Sequence, residues 1–348
     1  MKAVVNYDKG PKKVKIMDMP MPVPAAGQVR IKVSYAGVCG TDIHIYTDDG
    51  GFPTIPPVTL GHEFSGVVES VGEGVDPGYV GKRVMAETYY HTCGTCMYCR
   101  SGLRNLCPER RSIGSAENGA MAEYVVVPVK NVHVLPDNVT LVEAAMTEPL
   151  ACCARAILGL AGIVPGDTVL IVGPGTIGLM CMQLAKLCGG RVLVAGTQRD
   201  EKRLELAQKL GADEIIYSDR PDARDKVLEL APPFGPDVVA DCSGAGPGIQ
   251  FGLDVIRKGG RYVQVGLTSK PMQINMNQIT LKELSFFGSN AQNTEWFVRS
   301  LELMRQGKIQ LKELLSTPYE FEDWETAFQA HIAGVGYKHV LKIDDSVE

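Results

Sequence analysis

No apolar run in this 348-residue chain is long enough to span a bilayer. The opening residues Met1-Lys2-Ala3-Val4-Val5 lead into a strand-like segment without the hydrophobic core and cleavage site of a secretory signal. The positive excess that nucleic acid or an anionic membrane surface would demand is missing too. Lys and Arg number 35 against 40 Asp and Glu, a formal charge of −5, which leaves a small-molecule partner as the better fit. Nor is there an internal repeat or a low-complexity tract. The chain does carry ten cysteines. Without a secretory signal they point to a reducing compartment, where thiols bind metals or pack as small hydrophobes, and a cytoplasmic protein is expected.

With 45% apolar content, 348 residues exceed what one core organises, so more than one domain is expected. Residues 1–150 are rich in Val, Gly and Pro and read as short strands with turns, among them 28–36, 64–71 and 121–127. From 151 to 288 the texture becomes apolar strand, glycine turn and amphipathic helix in repetition: 168–172 then 177–188, 191–195 then 201–210, 237–241 then 249–256, and 261–266. That alternation specifies an α/β fold with a parallel sheet covered by helices. A last segment, 289–348, carries a helix over 294–306 and a strand over 338–343 that returns to the first domain.

Cys93, Cys96, Cys99 and Cys107 stand in a C-x2-C-x2-C-x7-C array that can close around one tetrahedral Zn²⁺. Four thiolates leave no vacancy for substrate, so this site is structural and pins a loop that lacks the apolar content to hold itself. Arg100, Arg104, Arg110 and Arg111 lie nearby in sequence to offset the anionic cluster. Four reduced thiols or two disulfides are the alternative, disfavoured because three cysteines within seven residues are too crowded for easy pairwise bridging.

Gly173, Gly175 and Gly178 form G-x-G-x-x-G directly after an apolar strand and at the mouth of a helix, with Thr176 and Ile177 inside the motif. This context provides a tight turn at Gly173, close approach of a pyrophosphate at Gly175, close helix–sheet packing at Gly178 and helix-terminal N–H groups for the anion. The acid expected about 20 positions on, which would hold a ribose, is missing. The second strand ends instead in Thr197-Gln198-Arg199. Thr197 and Arg199 would welcome a 2′-phosphate that a carboxylate would repel, so NADP(H) is favoured over NAD(H), the alternative being a solvated loop cation at Arg199. Asp200 reads as the cap of the following helix.

Cys39-Gly40-Thr41-Asp42-Ile43-His44 and Gly61-His62-Glu63, with Thr147-Glu148-Pro149, collect thiolate, imidazole and carboxylates. Such a mixed set suits a catalytic zinc with an exchangeable position. Together with the cysteine lobe and the nucleotide loop, these motifs run in order over essentially the whole chain and resemble the zinc-containing medium-chain alcohol/polyol dehydrogenase family. The resemblance implies a GroES-like β-rich catalytic domain carrying one catalytic and one structural zinc, and a Rossmann domain with a doubly wound sheet for the cofactor. It implies Cys39 and His62 as catalytic-zinc ligands. Glu148, in a Glu-Pro-Leu string of the sorbitol-type branch, is the favoured further ligand, directly or through water; Glu63 exchanges with that water, and Cys152 is the competitor. By the same resemblance Thr41 accepts the alcohol proton, His44 delivers it to solvent, and Asp42 supports a ligand. Arg203 falls on the adenosine side, and Val265-Gly266-Leu267 with Gly288-Ser289-Asn290 face the nicotinamide.

The implied activity is reversible oxidation of a secondary alcohol, a polyol or sugar alcohol, to a ketone with hydride transfer to NAD(P)⁺, in a homodimer or homotetramer. Ser289-Asn290-Ala291 stand where sorbitol dehydrogenases carry adjacent Arg and Tyr, which leaves the particular polyol open. Threonine dehydrogenases share the string from Thr41 to Tyr46 but not the Glu-Pro-Leu run, and a vicinal-diol dehydrogenase is a further alternative. A non-catalytic NAD(P)H-binding or sensing protein is the alternative of another class. It would have no reason to keep Cys39, Thr41, His44, His62 and Glu148 together.

Overall fold

The computed structural model describes residues 1–50, 52–268 and 271–344, and the chain divides into two compact units. The first comprises Met1–Pro149, Asn293–Gln306 and the chain from Leu311 onward; the second comprises Leu150–Gln292 and Gly307–Gln310. Among the described residues no helix is long and apolar enough to cross a membrane.

The first unit is organised by the strand Gln28–Gly37, in which buried Val29, Ile31 and Val33 alternate with half-exposed Arg30 and Lys32. That period of two marks a strand with one wet face. It pairs antiparallel with Glu63–Val71 on one edge, and with Tyr124–Pro128 and then Val340–Lys342 on the other. The strand expected over 121–127 starts only at Tyr124. Ala120 and Met121 spend their N–H groups on the carbonyls of Gly61 and Leu60, so they brace the loop before His62 instead of extending the strand. The core gathers Val29, Ile31, Val33, Phe64 and Val68 from the sheet with Trp324 and Phe328 from the helix Trp324–Ile332. Tyr46 meets Trp324 and Phe328 edge to face at 6.0 and 5.7 Å and thereby docks the helix Gly40–Thr47, which carries Thr41, Asp42 and His44.

The second unit is a six-stranded parallel sheet: β1 (Thr168–Val172), β2 (Arg191–Gly196), β3 (Glu214–Tyr217), β4 (Val238–Asp241), β5 (Arg261–Gln264) and β6 (Ser285–Gly288). The order is β3-β2-β1-β4-β5-β6, which reverses at β1, so right-handed crossovers lay helices on both faces and open a crevice at the carboxyl ends of β1 and β4. Val169–Val172 and Val192–Ala195 are buried without alternation, as in strands covered on both sides. The helix expected over 249–256 starts earlier, at Gly246, with Pro247 in its first turn where a missing N–H costs nothing. The strand expected over 261–266 stops at Gln264, because the N–H groups of Val265 and Gly266 both turn back to the Asp241 carbonyl at 2.9 Å.

Candidate active site and metal centres

The strands Tyr89–His91 and Arg111–Ser112 pair at the base of a lobe that holds the single-turn helix Met97–Arg100. Met97 is 71% exposed, and Tyr98 and Leu106 are exposed as well, so apolar burial does not hold this lobe together. The sulfurs of Cys93, Cys96, Cys99 and Cys107 all lie within 4.8 Å of one another, with Cys93–Cys107 at 3.6 Å and Cys93–Cys99 at 4.0 Å. Four sulfurs each ~2.3 Å from one zinc stand about 3.8 Å apart, so the set fits a tetrahedral ion. None of the ten cysteines is in a disulfide. The N–H groups of Cys96 and Thr95 bring the Cys93 thiol down to about 6, while burial and the neighbouring sulfurs push Cys99 up to about 11. Three of the four arginines expected to offset the thiolates are engaged elsewhere. Arg104 reaches Glu87 at 3.3 Å and Asn131 at 3.1 Å, Arg110 lies over the Tyr89 ring, and Arg111 pairs with Glu117.

The second constellation is built where strand Gln28–Gly37 runs into helix Gly40–Thr47. Cys39 occupies the N-cap position of that helix, and Asp42, fully buried, accepts the Cys39 N–H at 2.9 Å and the Gly61 N–H at 3.2 Å. One carboxylate therefore clamps the backbones that present Cys39 and His62. Gly61 has φ +89°, and a Cβ there would stand 2.6 Å from Met121 Cγ and 2.9 Å from its N, so this loop admits only glycine. Cys39, His62 and Glu63 bring one ligating atom each within 4.8 Å of the others, and both His62 and Glu63 are buried. Burial pulls the His62 imidazole down, but Cys39, Glu148 and Asp42 outweigh it and hold the ring well above its usual range. Burial pushes Asp42 up, countered in part by His62 and the two N–H groups. Thiolate, imidazole and carboxylate converging in a buried, negatively charged site form a donor set that fits zinc. Thr41 Oγ1 lies 3.8 Å from Cys39 Sγ, and His44 follows one turn later on the same face.

Glu148 is not in the group of three. It is buried on the helix Thr147–Ala154, and its Oε1 accepts the Thr88 hydroxyl at 3.2 Å, so its influence on His62 is through charge. Cys152 is half-buried on the same helix. Sequence reasoning missed Lys338. Its ammonium is buried, pairs with Glu63 and donates to the Val38 carbonyl at 2.8 Å, next to Cys39. Burial lowers Lys338, but Glu63, Cys39 and Glu148 together leave it raised.

In the second unit the expected cofactor residues line the carboxyl ends of the strands. Gly173 has φ +94° at the end of β1, and a Cβ on Gly178 would stand 1.9 Å from the Gly173 carbonyl oxygen, so strand and helix Thr176–Leu187 approach as closely as glycine permits. Gly175 caps that helix, and the first-turn N–H groups of Thr176 and Ile177 fit a cradle for a pyrophosphate. At the end of β2 the Thr197 hydroxyl donates to Asp200 at 2.8 Å, so it is not free for a phosphate; Gln198 N–H donates to Asp219 at 3.0 Å. Arg199 is exposed, and Arg203 lies 3.7 Å from Asp200. Asp241, buried at the end of β4, was not singled out in the sequence, yet it organises the next loops. It accepts from Gly244 N–H at 2.9 Å, the Ser243 hydroxyl at 2.8 Å and Gln264 Nε2 at 2.8 Å, and burial pushes its carboxyl up against those donors. Arg155, also missed, donates to Ser289 Oγ at 3.3 Å and the Asn290 carbonyl at 3.4 Å, while Leu267 is exposed.

Residues 25–137 match the alcohol dehydrogenase GroES-like domain family and residues 176–306 the zinc-binding dehydrogenase family. A sorbitol dehydrogenase from Halalkalibacterium halodurans is 42% identical over 342 residues, covering 98% of this chain and 99% of that protein. A D-arabitol-phosphate dehydrogenase from Enterococcus avium is 39% identical, with coverages of 98% and 97%. Among solved structures, a zinc-binding dehydrogenase from Sinorhizobium meliloti 1021 bound to NADP superimposes with a TM-score of 0.89 at 32% identity, covering 98% of this chain and 99% of that one.

Proposed function

Because the chain belongs to the zinc-containing medium-chain alcohol/polyol dehydrogenase family and is an oxidoreductase of secondary alcohols of the polyol class, we propose that Cys39 and His62 hold the zinc at which it works. The observation that carries this reading is the convergence of Cys39, His62 and Glu63 beside the helix face bearing Thr41 and His44. Glu148 supplies charge or a water-mediated contact in this reading, and the four-cysteine lobe holds a second, structural zinc. Bound zinc would ease loss of the hydroxyl proton near neutral pH, and bound nicotinamide would accept the hydride. The chain's own part is proton handling. Thr41 takes the proton of the substrate hydroxyl as it passes its own toward His44, which releases it to solvent. Secondary alcohol and NAD(P)⁺ thus become ketone, NAD(P)H and one proton.

On the cofactor, the reading is NADP(H) over NAD(H). With Thr197 committed to Asp200, the preference rests on Arg199, whose exposed guanidinium is what a 2′-phosphate would meet. A homodimer or homotetramer belongs to the same reading, as does a cytoplasmic location, the latter supported by ten cysteines outside any disulfide that a reducing compartment would preserve.

The test is reduced-nicotinamide formation from sorbitol, D-arabitol, D-arabitol phosphate, vicinal diols and threonine, with NAD⁺ and NADP⁺ in parallel, before and after chelation. Turnover of a polyol that chelation abolishes and zinc restores is expected, and Arg199→Ala should weaken NADP⁺ more than NAD⁺. Turnover of threonine alone, or activity indifferent to chelation, would overturn the assignment.

A further inference from the structure

The chain directly after helix Gly40–Thr47 reverses sharply. Asp48, the C-cap residue, adopts the left-handed conformation at φ 49°, ψ 47°, and Gly50 follows at φ +81°. This hook returns Asp49 alongside His44, with Asp49 Oδ2 2.6 Å from His44 Nδ1 and both side chains about a quarter exposed, at 26% and 24%. The ring of Phe52 covers the imidazole at a centroid distance of 5.3 Å, tilted by 30°. Other acids on the packed elements are occupied: Asp42 by the N–H groups of Cys39 and Gly61, and Glu325, on the helix against which this one docks, by the Tyr46 hydroxyl at 2.6 Å. Asp49 is thus the carboxylate in hydrogen-bond contact with His44.

We infer that Asp49 is the positioning residue for the proton relay. It accepts the Nδ1–H of His44 and so leaves Nε2 as the nitrogen that takes the proton. A neutral imidazole has one donor and one acceptor nitrogen, and the partner of the first decides the second. With Nδ1–H tied to Asp49, the lone pair on Nε2 forms the new N–H bond as the Thr41 hydroxyl gives up its proton. The imidazolium then stands against a carboxylate until Nε2–H releases its proton to water. Phe52 limits rotation of the ring away from this pose. The inference rests on the proposed role of His44, and its test separates the two.

The measurement is kcat and kcat/KM for the fastest polyol of the panel at saturating nucleotide, across about pH 6 to pH 10, for wild type, Asp49→Asn, Asp49→Glu and His44→Gln. Asp49→Asn should lower kcat about tenfold at neutral pH and change the shape of the pH profile, with nucleotide affinity unchanged. Asp49→Glu should restore most of the rate. A profile for Asp49→Asn that superimposes on wild type while His44→Gln changes it would overturn the role of Asp49 and leave the relay standing. Wild-type profiles for both variants would overturn both. An equal loss at every pH, with weakened nucleotide binding, would reduce Asp49 to a structural turn residue. Independently of turnover, a ¹⁵N-histidine spectrum should show the ring that disappears in His44→Gln protonated at Nδ1. Protonation at Nε2 would sink the inference.

Discussion

At position 338 the chain buries a lysine, which costs several kcal/mol unless an anion meets it. Glu63 does so, and the Val38 carbonyl takes a second ammonium proton. The pair stands where Cys39, His62 and Glu63 converge, so the positive charge of Lys338 answers the surplus of negative charge gathered there. Removing one partner strands the other. Lys338→Met should lower stability by about 3 kcal/mol or more, whereas the double variant with Glu63→Gln should recover most of that loss. Thermal unfolding of the zinc-loaded variants checks this; an unchanged unfolding temperature for Lys338→Met alone would show that the ion pair carries no such cost. In the sequence Lys338 opens a short C-terminal strand and looks like any solvated lysine. Its role depends on a pairing between Val340–Lys342 and residues some 300 positions earlier, which no local pattern announces.

Two carboxylates pin the entry ends of the parallel strands. Asp237 accepts Thr168 N–H at 2.8 Å and Arg257 Nε at 2.7 Å; Asp213 accepts Val192 N–H at 2.6 Å and the Lys186 ammonium at 2.8 Å. Burial raises each carboxyl, but the N–H groups and cations outweigh it, so both are held below the usual range. A depressed folded value means that the stabilisation is fully present above the unfolded value of about 3.9 and is lost as pH falls through the lower folded value. Asp237→Asn should therefore destabilise the second unit at neutral pH and flatten its acid transition. Circular dichroism from about pH 6 to pH 2 reads this, and an acid transition identical to wild type would refute it. At this scale the sequence was readable in proportion to burial. β1, β2 and β4 are mostly apolar and enclosed, and β5 buries Tyr262 and Val263 at its centre, so their positions followed from hydrophobic residues bounded by glycine. β3 and β6, the edge strands, are partly exposed and carry mixed residues, so neither stood out. The metal-site motifs were legible because ligands recur at fixed short spacings, as from Cys93 to Cys99. Asp241 and Arg155 were not, because their partners lie on separate strand ends.

Each unit of the molecule keeps its own source of order, and this separates the roles of the two proposed zincs. The first unit has a large core around Phe64, Tyr46, Trp324 and Phe328 that does not draw on either metal site. The cysteine lobe has no such core, and it is fastened to the sheet through Arg104, which meets Glu87 and Asn131. Glu87 is buried and also meets His133 at 3.1 Å, so disorder in the lobe reaches the strand Arg83–Ala86 and its neighbours. Elemental analysis should find two zincs per chain in the wild type. Cys39→Ala should hold one, with an unfolding temperature near wild type and no turnover, because an open catalytic site contributes little to folding. Cys107→Ser should also hold one, yet unfold at a clearly lower temperature, because a structural zinc's binding free energy is folding free energy. Neither change touches the glycine loop of the second unit, so both variants should bind NADP⁺ with the wild-type Kd. Equal losses of stability in the two variants would show that the sites are not divided into a catalytic and a structural one.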